Sequence, residues 1–450
     1  MIREKNSYLC TRMMKRALIL AYVVCVCLSA LGREAALADS LAVDSVAAPT
    51  DSVVVQADSV VALRDSVIAS ADSIDSLEGD TVKNRRYDYR NKKGIARPVY
   101  MLLNYLANTN KATDKPFDWS IAAGPSYNPN SSFAIGGVVS ALYRWDKEDR
   151  TLQKSDMSLY FNFGIKGYVE IGVRGNNYMK KDRRRWTYDF TFRNIPNDIW
   201  GIGWDMCSDD RNKGNYKQFQ LTFSPNYLFR IADNLYAGVR MNFMYSKTRD
   251  FNFPVRDFHY VDLLNGQDKD ITATGFGGEL LYDSRDFGLN AYKGHYLSIQ
   301  QLYYAPGITT YTFWSTDVTY RTYIPLWTKC ILAMEVHGLF NYGGTVPWTL
   351  MGMSGVDGRL RGYYRGRYRD NNIMEGQLEF RQRIKWRLGL VAWVGCANVF
   401  ADFKTIAWHK TLPSYGLGLR WEFKPRVNIR IDYGFTRDEG GVVFNINEAF

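Results

Sequence analysis

The sequence predicts an all-β protein whose main body closes as a transmembrane antiparallel β-barrel of about 16 strands, preceded by a signal peptide and a disordered acidic arm. Three observations lead there. Aromatic residues make up 15% of the 450, with 31 Tyr and 12 Trp, yet mean hydropathy is only −0.30. No apolar run past the N-terminus approaches the roughly 20 residues that a spanning helix needs, whereas membrane strands alternate and carry aromatic girdles. From Phe117 onward the chain breaks into alternating segments whose connections are long and short by turns.

The elements follow in order. Lys15-Arg16 precede the apolar run from Ala17 to Leu31, and Ala36-Leu37-Ala38 offers a small-x-small cleavage site, so residues 1–38 read as a secretory signal peptide. Residues 39–82 form an acidic low-complexity periplasmic arm. Nine acids stand against Arg64 up to Asp80, and Asp-Ser-Val or Asp-Ser-Ile recurs every seven residues at Asp44, Asp51, Asp58, Asp65 and Asp72. Period seven invites a coiled coil, but Asp, Ser and Val are mediocre helix formers and the stripe has no leucine seam, so a disordered arm is expected, with a partner-induced helix as the alternative. Residues 83–115 are a basic linker, in which Val99, Leu102, Leu103 and Leu106 recur at the spacing of a short amphipathic helix.

Within 116–450, strands are predicted at 117–124, 133–144, 156–164, 168–176, 184–193, 216–230, 234–247, 272–283, 294–304, 311–324, 330–341, 376–384, 388–400, 414–423, 427–435 and 441–450. An even count lets both ends of the sheet meet antiparallel. The long connections at 194–215, 248–271, 342–375 and 401–413 follow odd-numbered strands, and the short ones at 231–233, 325–329, 385–387 and 424–426 follow even ones. Long loops are therefore expected outside and short turns on the periplasmic side. In Leu417-Gly418-Leu419-Arg420-Trp421-Glu422-Phe423 the apolar set faces one way and Gly418, Arg420 and Glu422 the other. Charges of both signs on one face suit a wet lumen.

The remaining composition narrows function. Net charge is +11, and about +15 falls on residues 81–450. Behind a secretory signal, a basic balance points to lipid phosphates, lipopolysaccharide or a basic lumen rather than nucleic acid. Cys207, Cys330 and Cys396 stand far apart, as do His259, His295, His337 and His409, so neither a disulfide framework nor a metal site is expected. No Gly-x-Ser-x-Gly or His-Glu-x-x-His motif is present. The expectation is a protein that is not an enzyme, with no cofactor.

One stretch remains. Residues 355–370 contain four glycines and five arginines, too much backbone freedom and too much like charge for a helix or an ordinary strand, so a loop is expected there. It precedes the last five strands, and at its centre stands Leu360-Arg361-Gly362-Tyr363. In that place it resembles the Val/Leu-Arg-Gly-Phe/Tyr tetrad in the sixth external loop of the BamA/TamA family of outer-membrane assembly barrels. Tyr282-Asp283-Ser284-Arg285-Asp286 with Lys293-Gly294 is similar to that family's turn between the eighth and ninth strands. Residues 441–450 look like its C-terminal assembly signal, with Phe444, Ile446 and Phe450. The family's carboxylate on the thirteenth strand falls at Gly395 in Trp393-Val394-Gly395-Cys396-Ala397, and residues 39–115 leave no room for its periplasmic receptor modules, the POTRA domains.

The resemblance implies that Arg361 folds into the lumen onto a carboxylate, with Gly362 allowing close approach and Tyr363 packing beside it. On the lumenal parity, Glu379, Glu422 and Asp432 are the candidate partners. It also implies an outer-membrane barrel of a Gram-negative bacterium that aids insertion, assembly or translocation of other proteins, with client barrels as partners. A channel plugged by the arginine loop, or an anchor holding a periplasmic partner through residues 39–82, are the alternatives.

Overall fold

The computed structural model describes residues 117–450, with gaps at 129–131, 146–151, 153–154, 165–166, 256–258 and 306–310 and at positions 289, 357, 386, 425, 438 and 447. The readings made for 1–38, 39–82 and 83–115 lie outside the described residues. Sixteen strands run in chain order through one antiparallel sheet: β1 (Phe117–Asn128), β2 (Ser132–Tyr143), β3 (Ser155–Gly164), β4 (Val169–Tyr178), β5 (Arg184–Ile199), β6 (Gly214–Ala232), β7 (Leu235–Asn252), β8 (Ile271–Asp283), β9 (Gly294–Tyr304), β10 (Phe313–Trp327), β11 (Cys330–Tyr342), β12 (Asn372–Lys385), β13 (Leu388–Phe400), β14 (Leu412–Lys424), β15 (Val427–Thr436) and β16 (Gly440–Ile446). β1 and β16 lie side by side and close the wall, and among the described residues no paired register joins them.

Hairpins explain the register. The two-residue connections after β6, β10 and β14 place Asn234, Lys329 and Arg426 at positive φ, which a tight turn between right-twisted strands requires. A period of two then sorts the side chains. On β14 and β15, Leu417, Leu419, Ile431 and Tyr433 are exposed while Arg420, Arg430 and Asp432 are buried. Apolar groups therefore stand where lipid would be, and charged groups line the inside.

Among the described residues, apolar clusters and an infolded loop fill part of the interior. At the rim bearing the long connections, Ile199, Tyr216, Met244, Leu263, Ile271, Phe313 and Trp348 form an apolar cluster. A second cluster joins Trp200 and Cys207 of the β5–β6 connection to Leu360, Tyr363, Tyr364 and Tyr368 of the β11–β12 connection. That connection, residues 343–371, is the sixth on the long side and is called loop 6 below. It folds into the lumen and carries a two-residue ladder, Gly352–Met353 against Arg369–Asp370.

The end of the chain departs from expectation. A strand to residue 450 is expected, but β16 stops at Ile446. Phe450 then turns inward and is buried against Ala291, Tyr323, Ile331 and Ala333. Phe444 keeps a strand position opposite Ile431, on the outward face. The Ile446 side chain lies outside the described residues.

Candidate functional site

Loop 6 reaches the site through unusual backbone. Gly355, Gly358, Gly362 and Gly366 all have positive φ, and Leu360 adopts φ 47°. Leu360 is buried in the loop's apolar cluster, and such burial must offset the roughly 1–3 kcal/mol cost of a left-handed non-glycine residue. Gly362 faces Gly434 on β15 at backbone distance. A Cβ added at Gly434 would stand 2.3 Å from the Arg361 carbonyl oxygen, and one at Gly362 would stand 2.9 Å from the Gly434 oxygen. Two side chains would push the loop off the wall. Ser414 Oγ donates to the Arg361 carbonyl at 2.7 Å and pins the backbone from β14.

That placement delivers the Arg361 side chain, 3% exposed, into a closed charge network. Its Nη1 donates to Asp432 Oδ2 at 2.9 Å, and its Nη2 donates to Glu379 Oε2. The guanidinium also stacks 3.8 Å from the Trp393 ring centre. Ion pair and ring act together, because a planar cation in a dry site can use its edge for carboxylates and its face for π density.

Neither carboxylate is held by Arg361 alone. Arg381 Nε donates to Glu379 Oε1 at 2.7 Å, and Arg420 Nη1 donates to Asp432 Oδ1 at 2.5 Å. Both of those arginines also grip the inturned end of the chain. Arg381 Nη2 donates to the Phe450 carbonyl oxygen at 2.9 Å, and Arg420 Nε to Glu448 Oε2 at 2.7 Å. Loop 6 and residues 448–450 thus share two carboxylates through two bridging guanidinium groups.

Glu422, the third candidate, is not a partner of Arg361. It pairs with Arg383 at 3.0 Å and accepts from the Arg426 backbone N–H at 3.0 Å, beside the β14–β15 hairpin. Its parity is lumenal, but its height along the barrel is wrong. Gly395 supplies no carboxylate, and two residues before it Trp393 supplies the ring. Tyr363 is buried with Tyr368 beside it, ring centres 5.8 Å apart.

Residues that sequence reasoning missed complete the site. Arg359 Nε lies 2.8 Å from Glu375 Oε1, a second anchor two residues before the first. The same Glu375 oxygen lies 2.8 Å from His337 Nδ1, whose Nε2 is 3.3 Å from Asp317. Arg367 pairs with Asp210 at 2.9 Å and lies 4.9 Å from the Trp200 ring centre, tying loop 6 to the β5–β6 connection. The pattern Arg-x-Arg was visible, but not which strands would meet it.

The Omp85 superfamily domain matches residues 157–450. The chain belongs to the Omp85 superfamily. No curated protein matches the sequence. Among solved structures, a Haemophilus ducreyi BamA lacking POTRA domains 1–3 is 14% identical, with 73% of this chain and 70% of that one covered and a TM-score of 0.48. CdiB from Acinetobacter baumannii is 13% identical with a TM-score of 0.48, covering 74% of this chain and 60% of that chain. CdiB from Escherichia coli is 10% identical with a TM-score of 0.46, covering 79% and 71%.

In this Omp85 barrel the β8–β9 turn is also built around charge. Asp283 accepts from Arg285 at 2.9 Å and from Arg185 at 3.2 Å, while Asp286 pairs with Arg426 at 2.9 Å. Among the described residues no group of His, Cys, Asp and Glu could hold a metal ion. The buried charges are paired with one another across strands and loops, an arrangement suited to holding a shape.

Proposed function

We propose that this barrel serves insertion or translocation of other proteins at the outer membrane of a Gram-negative bacterium, with loop 6 as its internal brace. One observation carries the reading. A loop bearing Leu360-Arg361-Gly362-Tyr363 is fixed inside a wall whose first and last strands lack a paired register among the described residues. A wall held from within can part at its weakest line without collapsing, and unpaired edges there can template an incoming strand. Clients are then outer-membrane proteins, and the lipid phosphates and lipopolysaccharide around the barrel are its other partners. The long connections face outward and the short turns the periplasm. No enzymatic step is part of this role. Depleting the protein and quantifying the other barrels of the outer membrane tests it: their levels fall if the reading is right and hold if it is wrong.

A second reading, a gated channel, draws on the other half of the lumen. There a cavity of about 380 Å³ is lined by Arg174, Arg185, Arg240, Asp189, Glu279 and Asp283 among other polar groups. Conductance across a planar bilayer decides it, since a sealed brace gives no steady current until loop 6 is released.

A further inference from the structure

The connection between β13 and β14, residues 401–411, begins on the outside of the barrel. Phe403 stacks on Phe340 with ring centres 5.5 Å apart and lies 5.3 Å from Phe400. Phe340 has the parity of Val336 and Tyr342, both exposed on the outer face of β11. Phe400 has the outward parity of Val394 on β13, yet it is only 1% exposed. Phe403 helps to cover Phe400 from the lipid side, so this stretch of the connection lies against the outer wall. The belt it joins continues along the same rim, where Tyr303, Trp314 and Tyr342 are cross-strand neighbours.

The connection is held at both ends. Asp402 accepts from the Lys404 backbone N–H at 3.2 Å, and its own backbone N–H donates to Thr405 Oγ1 at 3.3 Å, the reciprocal bond of a capping box that sets the chain's direction. At the far end Lys410 pairs with Asp205 at 2.8 Å, and Arg437 donates to the His409 carbonyl at 3.3 Å. Between these ties Phe403 is 45%, Ile406 37% and Trp408 93% exposed, the last the most exposed large apolar side chain among the described residues. Lys404 is exposed beside them. A fixed turn that presents three apolar groups and a cation, continuous with the apolar wall, is what an interfacial anchor needs. Tryptophan prefers the headgroup boundary, and lysine reaches phosphate from there.

We propose that residues 403–408 form a lipid-interface anchor, entering the headgroup boundary of the leaflet at the long-connection rim, with Lys404 directed at lipid phosphate. The proposal rests on the reading of the barrel as a membrane protein with its long connections outward. A nitroxide at Trp408→Cys, in a Cys396→Ser background and in nanodiscs of phosphatidylcholine with phosphatidylglycerol, reads it through collisions with oxygen and with a water-soluble nickel chelate. The side chain replaced is almost free of contacts, so the fold is kept. The ratio of oxygen to nickel collisions at 408 should stand above unity and below that at a Leu417→Cys control deeper on the lipid wall. Nickel collisions in excess at 408, with Leu417 oxygen-rich, overturn the anchor but leave the barrel standing. Nickel in excess at both positions overturns the barrel reading itself. Protection from both reagents that appears only at high protein density places a second copy on this face and also overturns the anchor. Lys404→Glu should lower the oxygen-to-nickel ratio two- to three-fold in the mixed lipid and by less in pure phosphatidylcholine, where choline balances each phosphate. An equal ratio for native and Lys404→Glu in the mixed lipid removes the phosphate contact.

Discussion

At the scale of residues, a guanidinium between two buried carboxylates is stable only while every partner stays. Arg361→Ala leaves Glu379 and Asp432 with Arg381 and Arg420 but removes the loop-borne cation between them and its stacking on Trp393. Removing one member of a buried pair costs about 3–5 kcal/mol, and the remaining arginines place the loss at the lower end. Chemical denaturation of the refolded barrel should show it. Gly434→Ala tests position rather than charge: its methyl group meets loop-6 backbone at 2.3 Å, so the loop must lift although every ion-pair residue is intact. Cys207 gives a reporter. Burial pushes its thiol up to about 11. The folded state therefore favours the neutral thiol, a contribution that is full below the ordinary thiol value of about 8.5 and is lost as pH rises through 11. Alkylation at pH 8 should be slow in the native protein and should speed up steeply above pH 9.

At the scale of elements, loop 6 and residues 448–450 are coupled. Each binds the pair Glu379 and Asp432, one directly and the other through Arg381 and Arg420. Coupling of this kind is reciprocal. Glu448→Gln should loosen loop 6, read as faster tryptic cleavage at Arg365 or Arg367, and Arg361→Lys should loosen the terminal residues by a similar factor, read by a label at position 449. A loosened loop beside an unmoved terminus would show that the two are only neighbours. Phe450→Ala empties the pocket against Tyr323 and Ile331, and large-to-small core changes of this sort cost about 3–5 kcal/mol.

At the scale of the whole molecule, the strand count was legible because side-chain alternation and the alternation of loop length report the same geometry twice. Loop 6 was legible from its glycines and arginines, which suit neither helix nor sheet. Parity could not show which carboxylate meets Arg361. Glu422 and Asp432 share a face but sit at different heights, one by a hairpin and the other mid-strand, and height follows from the tilt and register of the whole wall. The inturned Phe450 was hidden for a related reason, since alternation predicts the face of a residue but not where pairing stops. Glu375 and Gly434 matter only because the loop arrives beside them. The line between β1 and β16 belongs to this scale too: a disulfide placed across it should block client insertion while leaving the barrel folded, with other barrels counted as the readout.

The most direct test of the account is the alkylation rate of Cys207 at pH 8 in membranes, with Cys330 and Cys396 replaced by serine. Cys207 is buried in the cluster that Leu360, Tyr363 and Tyr364 complete, so it reacts when loop 6 leaves. If Arg361 holds that loop inside the cylinder, Arg361→Ala should raise the rate at least ten-fold while the barrel still migrates as a folded species. A rate unchanged from native in a folded Arg361→Ala barrel would contradict the account.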